Sequence, residues 1–213
     1  MEGSSSVLYP VLELNTRSKL SCVAWNPYVK SHVAASDYDG TIQLWDAATK
    51  AEVMQFEEHA RRVWSIHFCP TDPMHMVSGS DDHTIKLWKL NCDSSTMTLD
   101  VKANVCSVQF HPTDSNLIAC GAANYRVYLF DRRKPDAPLA VLGNHGRSVS
   151  YVRYVDGDHL VSASTDSMLR LWELNGVQGT QQHPSMVFKV RRCCERGSHR
   201  LNLFPKCRPL TGC

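Results

Sequence analysis

No stretch of the 213 residues is apolar for long enough to cross a membrane as a helix. The amino terminus, MEGSSSVLYP, lacks the basic segment followed by an apolar run that marks a secretory signal. These two absences point to the cytosol or nucleus, where thiols stay reduced. The nine cysteines contain no CxxC pair, so the spacing of a paired-thiolate zinc site is missing. Cys22, Cys69, Cys106 and Cys120 lie in or beside apolar, strand-like runs, where a free thiol behaves as a small hydrophobe. Cys193, Cys194, Cys207 and Cys213 lie near His199, again without a ligand spacing. A Gly-rich phosphate loop and a two-His metal pattern are absent as well. No cofactor, metal or catalytic function is therefore expected. Positive charge is scarce over most of the chain: residues 1–175 carry 16 Lys and Arg against 20 Asp and Glu. A mildly acidic body argues against a nucleic-acid-binding domain. Only residues 176–213 are basic, with seven Lys and Arg against one acid.

What is present is a repeat. Four segments align: LSCVAW with HVAASDYDGTIQLWD, VWSIHF with MVSGSDDHTIKLWK, VCSVQF with LIACGAANYRVYLFD, and VSYVRY with LVSASTDSMLRLWE. They span residues near 16–46, 59–89, 101–131 and 145–173 and close on Trp45, Trp88, Phe130 and Trp172. The closing residues are spaced by 43, 42 and 42 positions, the period of a four-stranded propeller blade. Each unit reads as three short strands separated by Asp, Gly and Pro turns, which indicates an all-β fold. Residues 7–14 read as one more strand, and Pro10 places it at an edge.

Two units carry a recurring polar set: His59, Ser78, Asp82 and Trp88, then His145, Ser162, Asp166 and Trp172. A buried indole N–H needs an acceptor and a buried carboxylate needs donors. A chain Trp–Ser–His–Asp supplies both, and it resembles the tetrad of WD repeats. A catalytic Ser–His–Asp reading is disfavoured, because a single active site has no reason to recur at blade spacing. The first unit keeps Asp39 and Trp45 but has Thr16 at the His position. The third has Val101, Asn124 and Phe130 in place of His, Asp and Trp.

Stretches between these landmarks carry a sharper resemblance: YPVLELNTRSKLSC, SDYDG, EEHARRVWS, KANVCSVQF and GRSVSYVRY followed by SASTDSMLRLW. Over roughly residues 7–175 they resemble the plant COP/SPA photomorphogenesis group. That group comprises a ubiquitin ligase with an upstream RING finger and coiled coil, its SPA partners with a kinase-like domain, and repressors of UV-B photomorphogenesis. The resemblance implies a partial WD-repeat β-propeller, four blades of an expected seven, and a nuclear protein that can also occur in the cytoplasm. It implies recruitment of substrates, transcription factors or photoreceptors, through peptides holding a Val-Pro pair beside acidic residues. The family's pocket positions fall on Lys19, Tyr38, Arg62 and Trp64, and a further aromatic comes from a later blade. A blade-end aromatic-Asp-x-Arg element, here Phe130, Asp131 and Arg133, implies docking on the DDB adaptor of a cullin-4 ligase. A generic WD-repeat scaffold unrelated to ubiquitin is the alternative, as is a non-functional truncated product.

A comparison among the units supports the pocket without reference to the family. Where the second unit has Trp64, its sisters have Ser21, Cys106 and Ser150. Where the first has Tyr38, its sisters have Asp81, Ala123 and Thr165. The fold does not demand an aromatic at either place. After Asn175 the pattern stops, and residues 176–213 read as a disordered tail or a gene-model artefact. The cluster Lys189, Arg191 and Arg192 is too sparse for an import signal. The fourth unit has no evident outer strand, and four blades are expected to leave apolar faces open.

Overall fold

The computed structural model describes residues 9–175, 179–181 and 183–189. Four sheets follow one another along the chain, and no helix occurs among the described residues. The first holds β1 (Leu20–Trp25), β2 (His32–Asp37), β3 (Ile42–Asp46) and β4 (Ala51–Phe56). The second holds β5 (Val63–Phe68), β6 (His75–Ser80), β7 (Thr84–Lys89) and β8 (Ser95–Asp100). The third holds β9 (Val105–Phe110), β10 (Leu117–Ala122), β11 (Val127–Asp131) and β12 (Ala140–Leu142). The fourth holds β13 (Val149–Tyr154), β14 (His159–Ser164) and β15 (Met168–Glu173). All these neighbours pair antiparallel. Each of the first three units thus has a fourth, outer strand beyond the three its pattern shows.

The fourth sheet takes its outer strand from the segment expected to be disordered. β16 (Gly179–Gln181) pairs in parallel with β12, and β17 (Met186–Lys189) pairs antiparallel with β15. Backbone pairing needs no apolar alternation on an exposed edge, so this strand left little trace in the sequence. Arg191, Arg192, His199 and the four cysteines of the tail lie outside the described residues. The strand expected over residues 7–14 is not formed within residues 9–14. Tyr9 and Val11 stand exposed there, and that segment joins none of the four sheets.

The core lies between sheets. Ala34, Ile42, Leu44 and Phe56 of the first meet Val63, Ile66, Phe68, Met76 and Trp88 of the second. Val77, Ile85, Leu87 and Leu99 of the second meet Val105, Val108, Phe110 and Phe130 of the third. Leu129, Ala140 and Leu142 meet Val149, Val152, Leu160 and Trp172 in the last seam. A fully buried Val, Leu, Ile or Phe contributes about 1.5–3 kcal/mol, so these seams dominate stability. The approach is close: a Cβ on Gly79 would stand 2.5 Å from Val105 Cγ1. Polar groups on the first strands lock adjacent sheets together. Ser65 Oγ and His67 Nδ1 accept the N–H groups of Val108 and Phe110, each at 3.2 Å. Ser107 Oγ and Gln109 Oε1 accept those of Val152 and Tyr154, at 3.2 and 2.7 Å. Burial, with Arg153 nearby, pushes the His67 pKa down to about 4, which keeps Nδ1 free to accept.

Leu20, Val23 and Trp25 on β1 are 43, 60 and 57% exposed, although their counterparts Val63, Ile66 and Phe68 are at most 5% exposed. The first sheet therefore presents to solvent the face that the others bury.

Candidate functional site

Both tetrads form. His59 Nδ1 donates to Asp82 Oδ2 at 2.7 Å, and Ser78 Oγ lies 2.7 Å from both His59 Nε2 and Trp88 Nε1. The indole can only donate, so the serine accepts from it and passes its own proton to Nε2. His145, Asp166, Ser162 and Trp172 repeat the arrangement at 3.1, 2.7 and 2.8 Å, and Arg170 adds a 3.0 Å ion pair to Asp166. Burial raises the Asp82 pKa, but hydrogen bonds from His59 and Thr84 outweigh it and leave the carboxyl well below the usual range. At Asp166 the donors Gly146, Arg170 and His145 likewise outweigh burial. Ser78 and Ser162 are fully buried with committed hydroxyls, so neither set offers a nucleophile to solvent.

The degraded units behave differently. Trp45 Nε1 is buried without a partner among the described residues, since Ala35 stands where Ser78 does in the second unit. Asp39 is exposed and joins no tetrad; Asp37 instead caps its own turn through Asp39 N and Thr41 N. In the third unit Val101, Cys120 and Phe130 pack into one apolar cluster. Asn124 turns away, donating to the Tyr128 hydroxyl at 2.6 Å.

Trp64, Tyr38 and Arg62 come together at the junction of the first two units. Trp64 is the extra residue of a β-bulge, between the paired Val63 and Ser65. Bulges re-aim a side chain, and Ser21, Cys106 and Ser150 occupy the same extra position in their units. Tyr38 follows β2, in a turn drawn tight by Gly40: with φ 101°, a Cβ there would stand 2.4 Å from the His59 carbonyl oxygen. The Tyr38 and Trp64 ring centroids are 5.9 Å apart. The Arg62 guanidinium lies over both, 4.3 Å from the tyrosine centroid and 4.8 Å from the tryptophan centroid. Such cation–π contacts contribute about 0.5–2 kcal/mol. Arg62 Nε is buried with no partner among the described residues. Lys19 adjoins through its backbone, its carbonyl accepting the Tyr38 N–H at 3.0 Å, and is exposed.

Two further residues, not evident from the sequence, adjoin this cluster. Asp81 Oδ1 accepts from Trp64 Nε1 and from Asn104 Nδ2, both at 2.8 Å. With Tyr38, Asp39, Arg61 and Arg62 they line an open cavity of about 490 Å3. Trp64 lines the adjoining cavity, of about 580 Å3, between the first strands. The walls therefore carry acids as well as cations. The available signal was an acid at the hairpin turn, across from Arg62 and close to the tryptophan.

Asp131 and Arg133 form a bidentate pair at the end of β11, with Arg133 Nη2 2.7 Å and Nε 2.9–3.1 Å from the carboxylate oxygens. The Arg133 guanidinium holds the Asp131 pKa below its ordinary value. Phe130, expected beside them on a docking surface, is 2% exposed and faces the core, because it fills the place of a tetrad tryptophan.

The family model for the WD domain, G-beta repeat matches residues 9–46, 50–89, 94–131 and 136–173. The chain belongs to the WD-repeat family. It is 46% identical over 192 residues to the protein SUPPRESSOR OF PHYA-105 1 of Arabidopsis thaliana, covering 89% of this chain and 19% of that one. It is 45% identical over 165 residues to the E3 ubiquitin-protein ligase COP1 of the same plant, covering 78% of this chain and 24% of that one. The WD repeat-containing protein RUP2 of Arabidopsis thaliana is 36% identical over 169 residues, with 75 and 46% covered. These repeats are thus the COP/SPA kind. The chain spans about a fifth to a quarter of the length of the first two relatives.

Proposed function

We propose that this WD-repeat chain recruits substrates to a light-signalling ubiquitin ligase by binding peptides with a Val-Pro pair beside acidic residues, and is not itself catalytic. The observation that carries the reading is the Arg62 guanidinium held over Tyr38 and Trp64, at positions where sister units have small or non-aromatic residues. Paired aromatic faces accept a valine side chain and a proline ring, and buried aromatic and Arg groups dominate binding at such anchors. Arg62 and Lys19 suit the flanking carboxylates, with the exposed Lys19 acting mainly on association. In titrations of the chain with a fluorescent acidic Val-Pro peptide, micromolar binding is expected, lost when Val-Pro is replaced by Ala-Ala. Equal binding of both peptides would reject the reading.

The likeness to the E3 ubiquitin-protein ligase COP1 also supports Asp131 and Arg133 as a dock for the DDB adaptor, and we further propose a nuclear site of action. Asp131→Ala with Arg133→Ala is expected to reduce adaptor co-purification and leave peptide binding intact. Undiminished recovery would make the pair an ordinary turn brace.

A further inference from the structure

We propose that Asp81, itself held by Asn104, is the positioning residue of the peptide site: it fixes the Trp64 indole for the ligand. The proposal rests on the peptide-receptor reading above. Trp64 sits on a bulge, where the extra residue is left out of the ladder and its side chain is re-aimed. Its one polar atom, Nε1, is tied to Asp81 Oδ1 at 2.8 Å. The same oxygen takes the Asn104 amide at 2.8 Å from the third unit. The Asp81 backbone N–H also donates to the Arg62 carbonyl at 2.9 Å. One residue therefore holds the backbone of Arg62, just before β5, and the ring that Arg62 covers.

The repeat shows that the fold does not require this. At the matching bulge and turn, the other units pair Ser21 with Tyr38, Cys106 with Ala123, and Ser150 with Thr165. Only the second unit sets an acid against an indole, and it is the unit with the aromatic anchor. At the position matching Arg62 and Lys19 the third unit has Asn104, whose side chain reaches back across the seam. Fixing an anchor before the ligand arrives removes an ordering cost from binding. Both donors converge on one oxygen, and a single amide oxygen can accept two hydrogen bonds. Asn at position 81 can therefore do the positioning, and Leu cannot.

The test measures affinity of the 213-residue chain for the acidic Val-Pro peptide, thermal melts, and the indole 1H–15N resonance assigned by Trp64→Phe. Asp81→Leu is expected to shift that resonance and weaken binding about tenfold, which is about 1.4 kcal/mol. Asp81→Asn is expected to stay within about threefold of wild type, and Asn104→Ala to fall between the two, with melts little changed. Asp81→Leu binding like wild type, or Asp81→Asn binding as weakly as Asp81→Leu, would overturn the proposal while the receptor reading stood. A wild-type chain that binds no Val-Pro peptide would overturn both.

Discussion

In the second repeat His59, Ser78, Asp82 and Trp88 form a closed hydrogen-bonded chain, whereas in the third Val101, Cys120 and Phe130 fill the same space with apolar atoms. The backbone pairing of the first three strands of the two sheets is the same. The difference shows that the tetrad is replaceable as a set and costly to replace in part. The first repeat illustrates partial replacement: it keeps Trp45 without the serine, and the indole N–H is left unpartnered.

The comparison breaks most visibly in the third repeat. Phe130→Ala opens a cavity and is expected to cost about 3–5 kcal/mol in chemical denaturation. In the second, Asp82→Ala strands the buried donors of His59 and Thr84 and is expected to cost roughly 1–3 kcal/mol. Asn124→Ala, at the position matching Asp82, is expected to stay within about 0.5 kcal/mol. A cost at Asn124 equal to that at Asp82 would mean that the third unit retains a polar network.

The seams extend the comparison. His67 joins the second and third sheets where Gln109 joins the third and fourth, so at this matched position only the first of these seams carries a titratable side chain. The His67 pKa lies at about 4 in the fold, below its ordinary value of 6.5. The unfolded chain then binds the extra proton, and stability falls as pH drops from 6.5 towards 4, by at most about 1.4 kcal/mol per pH unit. His67→Gln, which copies the other seam, is expected to flatten the urea-midpoint profile in that window. An unchanged slope would place the acid sensitivity elsewhere.

Smaller in effect is the contrast between the first sheet and the rest. Leu20, Val23 and Trp25 offer solvent an apolar face that the other units bury, and such patches mark association sites. The chain is expected to enhance the fluorescence of a hydrophobic dye, and Val23→Thr with Trp25→Ser to reduce it. A dye response untouched by those substitutions would assign the binding to another surface.

The four-unit architecture and both tetrads were legible because they recur: the Asp six residues before the Trp, and a period of 42 or 43 residues, leave little freedom. The outer strands were less legible, since β17 contributes backbone bonds more than a buried apolar face. Tyr38, Arg62 and Trp64 could be found because sister units lack them. Their supports could not: the Asp81 bond to Trp64 depends on where a bulge points the indole, and Asn104 reaches the site only across a seam. Phe130 suits two places in the sequence, the tetrad tryptophan's and the docking element's, and its burial in the core fits the first.

The proposed ligand site is the aromatic and cationic cluster at the junction of the first two repeats, which the fold does not need. Trp64→Ala tests it most directly, with the melt and the acidic Val-Pro peptide affinity measured on the same preparation. The expected result is a melting temperature within a few degrees of wild type and an affinity loss of about 30-fold or more, or about 2 kcal/mol. A collapsed melt, or an affinity unchanged with the melt intact, would contradict it.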